Sequence, residues 1–230
     1  MYLEWMDALR SARLFQGIGP DSLNIMLDCL KPRVKRFKMR EIVVSYGQPY
    51  LGLGIVARGK VALTRETYSG NRIMQGILES GQIFGEVVAF SDLKTWPMTV
   101  IAQDDGVVLF LPPSKITGTC SNICFSHSRL IVNMLQILSN HALALDRKIE
   151  HLSAKDLRGK ISSYLLGLYT DKGQTTLVMP MKRHELGDYL GSPRPSLSRE
   201  MSKMRAEGII DFDRSTITVK NAIKLEESVP

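Results

Sequence analysis

Two arginines and two serines lie close together between residues 194 and 199, and their side chains suit contact with nucleic acid: Arg194, Ser196, Ser198 and Arg199. Arginine can donate two parallel hydrogen bonds to guanine, and serine can bond a phosphate oxygen or a base edge. The sequence places all four in the first two turns of a predicted helix. We therefore expect this helix to enter the major groove of double-stranded DNA, with Lys203 as a further contact.

A helix-turn-helix is the element predicted to position these side chains. Leu186 and Leu190 fit one face of a first helix, and Gly191 fits the tight turn because glycine readily adopts left-handed backbone. Ser192 is expected to cap the second helix, with Pro193 at its first position. An ordinary helical hairpin would show the same buried leucines, so the motif alone leaves both interpretations open.

The residues around this motif support the DNA-binding interpretation. Leu197, Met201 and Met204 recur at helical spacing and are predicted to face inward, which leaves the arginines outside. The alternating stretch 216–219 predicts a wing strand. His184, at the start of the first helix, is a candidate phosphate contact.

A long helix is predicted from about Phe125 to Leu152, and it carries an unbroken apolar seam. The seam residues are spaced alternately by four and three positions: Ile131, Leu135, Leu138, Ala142, Leu145, Ile149 and Leu152. This regular spacing favours a parallel two-helix dimer over a helix that packs on its own domain. A two-fold dimer presents two recognition helices to successive major grooves and therefore reads a near-palindrome.

Short β-runs punctuated by glycines fill residues 41–112, a pattern typical of a small antiparallel sandwich or barrel. The run is preceded by five basic residues between Arg33 and Arg40, nearly alternating with apolar ones. They form either a nucleic-acid patch or, as we favour, the solvated face of an edge strand.

Composition limits the possible classes of protein. The 230 residues include 30 basic and 23 acidic side chains, a net charge of +7 that favours a polyanionic partner. We expect a cytoplasmic protein without membrane association, because the sequence shows no signal sequence and no long apolar run. The sequence contains no Walker loop, nucleophile elbow, zinc-protease motif or Rossmann fingerprint, so no enzymatic activity is predicted.

The chain resembles the Crp/Fnr superfamily of bacterial transcription regulators. The resemblance rests on Leu186-Gly187, Leu190-Gly191-Ser192, Arg194, Ser196, Ser198-Arg199 and Gly208-Ile209-Ile210, and on the glycine spacing that ends at Gly85-Glu86. It implies an α+β fold with a β-roll effector-sensing domain over 1–124, a dimerisation helix over 125–153 and a winged helix-turn-helix over 154–230. It also implies a homodimer that contacts RNA polymerase.

The resemblance places an effector pocket in the β-roll, and the chain departs from the family pattern there. Gly85 and Glu86, with their neighbour Val87, stand where cyclic-nucleotide-binding members hold phosphate and ribose. The arginine-serine pair that would bind the phosphate is replaced by Trp96 and Pro97, which leaves the site without that cation. Leu145 stands where a hydroxyl would contact the base. Cyclic AMP is therefore not the predicted effector, whose identity stays open.

Trp96 has two interpretations from sequence. It could line a pocket for an apolar or aromatic ligand, or it could pack in the β-core.

The three cysteines offer little chemistry. Cys29, Cys120 and Cys124 are too few for the four-thiolate iron-sulfur cluster of some relatives, and no metal site is predicted. Cys120 and Cys124 are most simply ordinary thiols, with a redox or half-metal pair as the alternative.

Two further expectations follow from the resemblance. Pro195 occupies the place where the cyclic-AMP receptor protein has a base-reading glutamate, so the half-site should differ from the one that glutamate selects. A different class of function, a cyclic-nucleotide-type sensor that signals through protein partners, would predict no helix-turn-helix and no salt-dependent affinity for DNA.

Overall fold

A computed structural model describes residues 2–66, 72–118 and 125–229. The chain divides into two compact units, Met1–Asn140 and His141–Pro230. Within the part of the chain that the structure describes, no helix has both the length and the apolar character needed to cross a bilayer.

Eight strands build the first unit into two four-stranded antiparallel sheets, one in the order β1-β8-β3-β6 and the other β2-β7-β4-β5. Their bounds are β1 (Arg33–Phe37), β2 (Ile42–Val44), β3 (Leu53–Arg58), β4 (Val61–Glu66), β5 (Arg72–Leu78), β6 (Ile83–Phe84), β7 (Thr99–Ala102) and β8 (Gly106–Leu111). The predicted antiparallel β-roll is thus confirmed. As expected, β1 is an edge strand: among the strands that the structure describes, it pairs with β8 alone.

The helices of the first unit lie before, between and after the strands in the sequence. They are α1 (Met6–Ser11), α2 (Pro20–Leu30), the short α3 (Glu86–Ala89), α4 (Pro113–Thr117) and the long α5 (Phe125–Ser153), with 3-10 turns at Leu3–Trp5 and Arg13–Phe15. The observed α5 matches the predicted long helix, extending one residue further.

Two apolar cores share the central strands of the first unit. Successive side chains of a strand point to opposite faces, so Ile55 and Leu109 pack with the helices while Val56 and Val108 pack between the two sheets. This explains why β8 is buried at every position, although a strand facing water on one side would alternate.

The first half of α5 packs on this unit. Leu130, Met134 and Ile137 are buried in the helix-side core. The amide nitrogen of Asn133 donates to the carbonyl oxygens of Leu14 and Gln16 at 2.9 and 2.8 Å. The long helix is therefore fixed to its own unit by one face.

The second unit is a small winged domain. It contains α6 (Leu157–Lys172), β9 (Thr176–Val178), α7 (Arg183–Tyr189), α8 (Arg194–Ala206), β10 (Ile210–Asp213), β11 (Thr216–Val219) and α9 (Ala222–Glu227). The three strands form an antiparallel sheet in the order β10-β11-β9. The predicted wing strand is confirmed as β11, and α9 is an element that the sequence analysis did not predict.

The sequence predicts Ser153 as the cap of the helix that follows the long one, and the start of α6 corrects this expectation. Ser153 remains in the last turn of α5, where its hydroxyl donates to the carbonyl oxygen of Glu150 at 2.7 Å. The capping residue of α6 is Asp156, whose carboxylate accepts from the Gly159 backbone N–H at 2.7 Å. Aspartate suits this position because its charge also complements the helix dipole.

Candidate nucleic-acid interface and sensor site

The turn between α7 and α8 has the predicted backbone but a different cap. Gly191 adopts a left-handed conformation with φ of +65°. The N–H of Ser192 donates to the carbonyl oxygen of Gly187 at 2.9 Å, which ties Ser192 into the turn. Pro193 is therefore the residue that precedes α8, with an extended backbone and no side-chain cap, and the prediction of Ser192 as the cap was wrong by one residue.

The inner face of α8 is confirmed. Leu197, Met201 and Met204 are fully buried, together with Leu186 and Leu190 of the preceding helix and turn. This burial fixes the rotation of α8 about its axis, so the residues between these positions must face outward.

The outer face of α8 presents the predicted contact residues. Arg194, Arg199 and Lys203 are exposed, whereas Ser196 and Ser198 are half-buried. An Nη of Arg199 lies 3.4 Å from the Ser196 hydroxyl, and Lys203 lies 3.8 Å from a carboxylate oxygen of Glu200.

The flanking candidates sit at the start of each helix, His184 exposed on α7 and Ser192 half-buried in the turn. Among the described residues, neither Arg194 nor Arg199 forms an ion pair.

Two carboxylates, Glu200 on α8 and Glu207 just after its last residue, are neutralised from α6. Nε of Arg158 lies 2.7 Å from Glu200, and its two terminal nitrogens lie 2.7 Å from the two oxygens of Glu207. The hydrogen bonds that Arg158 donates to Glu207 and Glu200 raise its own pKa, and those that Glu207 accepts from Arg158 lower the pKa of Glu207. The charge on the outer face of α8 is therefore left to its basic side chains.

Arg183 is a residue that the sequence analysis missed. Its guanidinium lies 4.9 Å from the centre of the Phe212 ring and contacts the sulfur of Met201. Burial, and then the nearby charge of Arg194, lower the pKa of Arg183. Two cations therefore lie near each other at the beginning of α8, a place suited to an anion. No local pattern in the sequence indicates that Phe212 holds this arginine.

A cavity of about 420 Å³ opens beside Arg183. Its lining includes Lys182, Arg183 and Glu185 from the start of α7, and Arg214 and Ser215 from the turn between β10 and β11. The wing turn and the first helix of the motif thus share one concave surface, whose charged groups are three cations and one carboxylate among apolar side chains.

The Gly85-Glu86 segment of the β-roll is filled by the chain's own side chains. A Cβ on Gly85 would lie 2.6 Å from the Trp96 ring, so the indole leaves room only for glycine. Trp96 is 1% exposed, and its ring centre lies 4.6 Å from that of Tyr50 and 5.7 Å from that of Phe84. Of the two interpretations of Trp96, packing in the β-core is the one that the structure shows.

The other candidate pocket residues differ in exposure. Glu86 is 8% exposed, and Val87 is 62% exposed. The Tyr50 hydroxyl donates to the carbonyl oxygen of Gly85 at 2.8 Å, and burial followed by the charge of Glu86 raises the pKa of Tyr50. Pro97 is half-buried beside Trp96. The segment is thus closed by aromatic packing and carries no cation.

Comparison with known proteins agrees with both halves of this description. A sequence model of the cyclic nucleotide-binding domain matches residues 34–122, and one of the Crp-like helix-turn-helix domain matches residues 159–228. The chain belongs to the Crp/Fnr family. The order of the two matches, sensor fold first and DNA-binding motif second, is the order of the two units described above.

Individual relatives of this Crp/Fnr chain are distant but cover nearly its full length. It is 23% identical over 219 residues to the cyclic AMP receptor protein of Thermus thermophilus, covering 95% of this chain and 97% of the relative. It is 23% identical to the global nitrogen regulator of Synechococcus elongatus, covering 93% and 94%. Its fold is similar to that of the Thermus thermophilus catabolite activator protein, with a TM-score of 0.56, 22% identity and coverage of 95% and 98%.

The apolar seam of α5 in this Crp/Fnr chain is largely open to solvent. Leu135, Leu145 and Ile149 are 58%, 63% and 67% exposed. Ala142 is exposed as well, and the three remaining seam residues are half-buried: Ile131, Leu138 and Leu152. Three exposed aliphatic side chains on one stripe form a surface that water solvates poorly.

Cys120 and Cys124, read from the sequence as ordinary thiols or as a redox or half-metal pair, lie outside the described residues. Cys29 is half-buried on α2. His127 is buried, and its Nε2 lies 2.9 Å from the carbonyl oxygen of Ile116, which is a structural role at the start of α5.

Proposed function

We propose that this Crp/Fnr transcription regulator works as a cytoplasmic homodimer that reads a near-palindromic DNA operator through the outer face of α8. The observation that carries this proposal is the state of Arg194 and Arg199, which are exposed and form no ion pair with any described residue. Burial of the opposite face of α8 fixes them outward. Arginines held in this way suit guanine edges and phosphates.

The dimer is supported by the seam of α5. One stripe of the helix, with Leu130 and Met134, packs on its own unit, so the adjacent exposed stripe is the face available to a second copy. The seam keeps strict heptad spacing, as a pair of parallel helices requires. Two recognition helices related by a two-fold axis would contact half-sites about one turn of DNA apart.

The β-roll would couple an effector to this DNA contact, and that effector is not cyclic AMP. No cation stands at Trp96 or Pro97 to bind the cyclic phosphate, and the indole fills the space beside Gly85. An effector must bind the two arrangements of the dimer unequally in order to shift them. Contact with RNA polymerase would then convert DNA binding into altered transcription. The protein acts by binding alone, without catalysis.

Arg199→Ala tests the central role assignment. The operator is first selected from random duplexes with the wild-type chain, and affinities are measured by fluorescence anisotropy. Loss of one bidentate contact in each protomer should cost about 2–6 kcal/mol for the dimer, or roughly 30- to 20,000-fold in affinity for the operator. Sedimentation equilibrium should show an unchanged dimer.

Arg13→Ala is the matched control, since Arg13 is exposed in the first unit and its loss changes the net charge equally. It should bind the operator within about twofold of the wild type, because a distant charge adds little at physiological salt. Equal affinity of Arg199→Ala and Arg13→Ala would refute the proposed role of Arg199.

A further inference from the structure

Three aromatic rings meet where the end of α5 approaches the helix-turn-helix. His151 is in the last turn of α5, and its Nδ1 lies 3.0 Å from the Tyr189 hydroxyl on α7. Tyr164 on α6 packs edge-on against His151, with ring centres 5.4 Å apart, and lies 5.5 Å from the ring of Tyr189. We call His151, Tyr164 and Tyr189 the three-ring joint. It connects the long helix to the first helix of the DNA-binding motif.

The joint is closely fitted around a neutral imidazole. His151 is 7% exposed, and a Cβ on Gly167 would lie 3.2 Å from its Nε2. The hydroxyl of Tyr164 is buried without a hydrogen-bond partner among the described residues. A neutral imidazole has one N–H that donates and one nitrogen that accepts, whereas a protonated imidazole has two N–H groups that both need acceptors. Among the described residues, no acceptor lies within hydrogen-bond distance of Nε2, so the second N–H would have no protein partner.

The charged groups around the joint also favour the neutral ring. On α5, Arg147 and Lys148 lie one turn or less away, and the Lys148 nitrogen is 5.2 Å from the centre of the Tyr189 ring. Glu150, also on α5, acts in the opposite direction, whereas Asp171 of α6 is paired with Arg147 at 2.8 Å. Burial, reinforced by Arg147, lowers the pKa of His151, and burial raises the pKa of Tyr164 to about 12.

We propose that the three-ring joint is an acid-sensitive latch, in which protonation of His151 releases α7 from the end of α5 and weakens operator binding. The latch rests on the proposed function, because operator affinity is its output. Its direction follows from linkage. The released state, with a His151 pKa near the ordinary value of 6.5, takes up protons before the closed state does. The joint is therefore fully stable above pH 6.5 and loses stability as the pH falls through the window below it.

The test compares operator preference at pH 7.5 and 5.5. Affinities for the selected operator and for a random duplex are measured at constant ionic strength, and their ratio removes the general gain in positive charge on acidification. The wild-type ratio should fall by at least about fivefold, since two protomers each carry one latch. His151→Phe keeps a ring of similar size that cannot be protonated, so its ratio should change by less than about twofold.

His141→Gln is the matched control, because it removes an exposed histidine from the same helix. It should behave as the wild type does. A wild-type ratio that stays constant from pH 7.5 to 5.5, or one that falls equally in His151→Phe, would overturn the latch.

Hydrogen exchange of the α7 amides gives a readout that needs neither DNA nor a well-folded variant. After correction for intrinsic rates, wild-type protection should fall on acidification while protection of α2, in the other unit, stays constant. Unchanged protection of α7 would also overturn the latch. Absence of operator binding at pH 7.5 would instead refute the proposed function, and the exchange result would still decide the latch.

Discussion

The two units of the chain use similar side chains in opposite ways. In the first unit, two cations of the basic run have partners within that unit: Lys35 on β1 donates to the carbonyl oxygen of Val43 at 2.6 Å, and Lys38, just after β1, pairs with Asp105 at 2.8 Å. In the second unit, Arg194 and Arg199 point outward without an ion pair among the described residues. A basic run in a sequence therefore does not by itself indicate a nucleic-acid surface; the availability of its cations does.

Apolar groups show the same contrast. The first unit encloses Trp96 and one stripe of α5, whereas α5 leaves a second stripe exposed. The comparison suggests that groups enclosed in the β-roll maintain the fold, and that exposed groups on α5 and α8 meet partners. Three variants, each with its own control or contrary outcome, test this contrast between enclosed and exposed groups.

The largest effect is expected at the exposed stripe. Leu145→Glu combined with Ile149→Glu places four charges in the proposed dimer seam, two from each copy, and should leave the chain monomeric by sedimentation equilibrium at micromolar concentrations. Burying unpaired carboxylates costs several kcal/mol, more than a helix pair can offset.

Met134→Ala, on the buried stripe of the same helix, is the matched control for the seam variant. It should lower the unfolding stability by about 2–5 kcal/mol and leave the dimer intact. If the seam variant remains dimeric, the exposed stripe of α5 is not the dimer interface.

Trp96→Ala should destabilise the first unit by about 3–5 kcal/mol, because it leaves a cavity among Tyr50, Phe84 and Phe110. The measurement is urea unfolding followed by far-ultraviolet circular dichroism. If the indole instead served mainly to contact a ligand, its removal would leave stability nearly unchanged and would alter only the response to that ligand.

The smallest effect concerns the salt dependence of DNA binding. Replacing Arg194 and Arg199 by alanine removes two cationic contacts per protomer, or four from the dimer. Because each phosphate contact contributes about 0.9 to the slope of log K against log salt, the slope should become shallower by about 3–4. The double replacement of Lys35 and Lys38 by alanine removes the same charge from the basic run at and after β1 and should leave the slope unchanged. Equal slopes for the two double variants would abolish the contrast between the units.

Much of this molecule could be predicted from its sequence because the strongest signals are periodic. The helical periodicity of α5, the buried positions of α8 and the alternation in β11 each repeat over several residues, and the three elements are confirmed, whereas the dimer role of the α5 seam stays a prediction. Cap positions were harder, since Ser192 and Ser153 are both good caps and neighbouring residues compete for the role. The structure assigns the two positions to Pro193 and Asp156.

Features assembled from distant parts of the chain could not be found in this way. The Phe212 support of Arg183 and the three-ring joint each join separate elements, and no local pattern signals them. The orientation of Trp96 was open for a related reason. Its place beside Pro97, outside any regular strand, gives no alternation from which to read the face that it occupies.

Footprinting of the wild-type chain on its selected operator tests the central claim most directly. A two-fold dimer with two α8 helices should protect two inverted half-sites on one side of the duplex, with centres about 10 base pairs apart. Protection of a single asymmetric site, or failure of random duplexes to yield any enriched sequence, would contradict it.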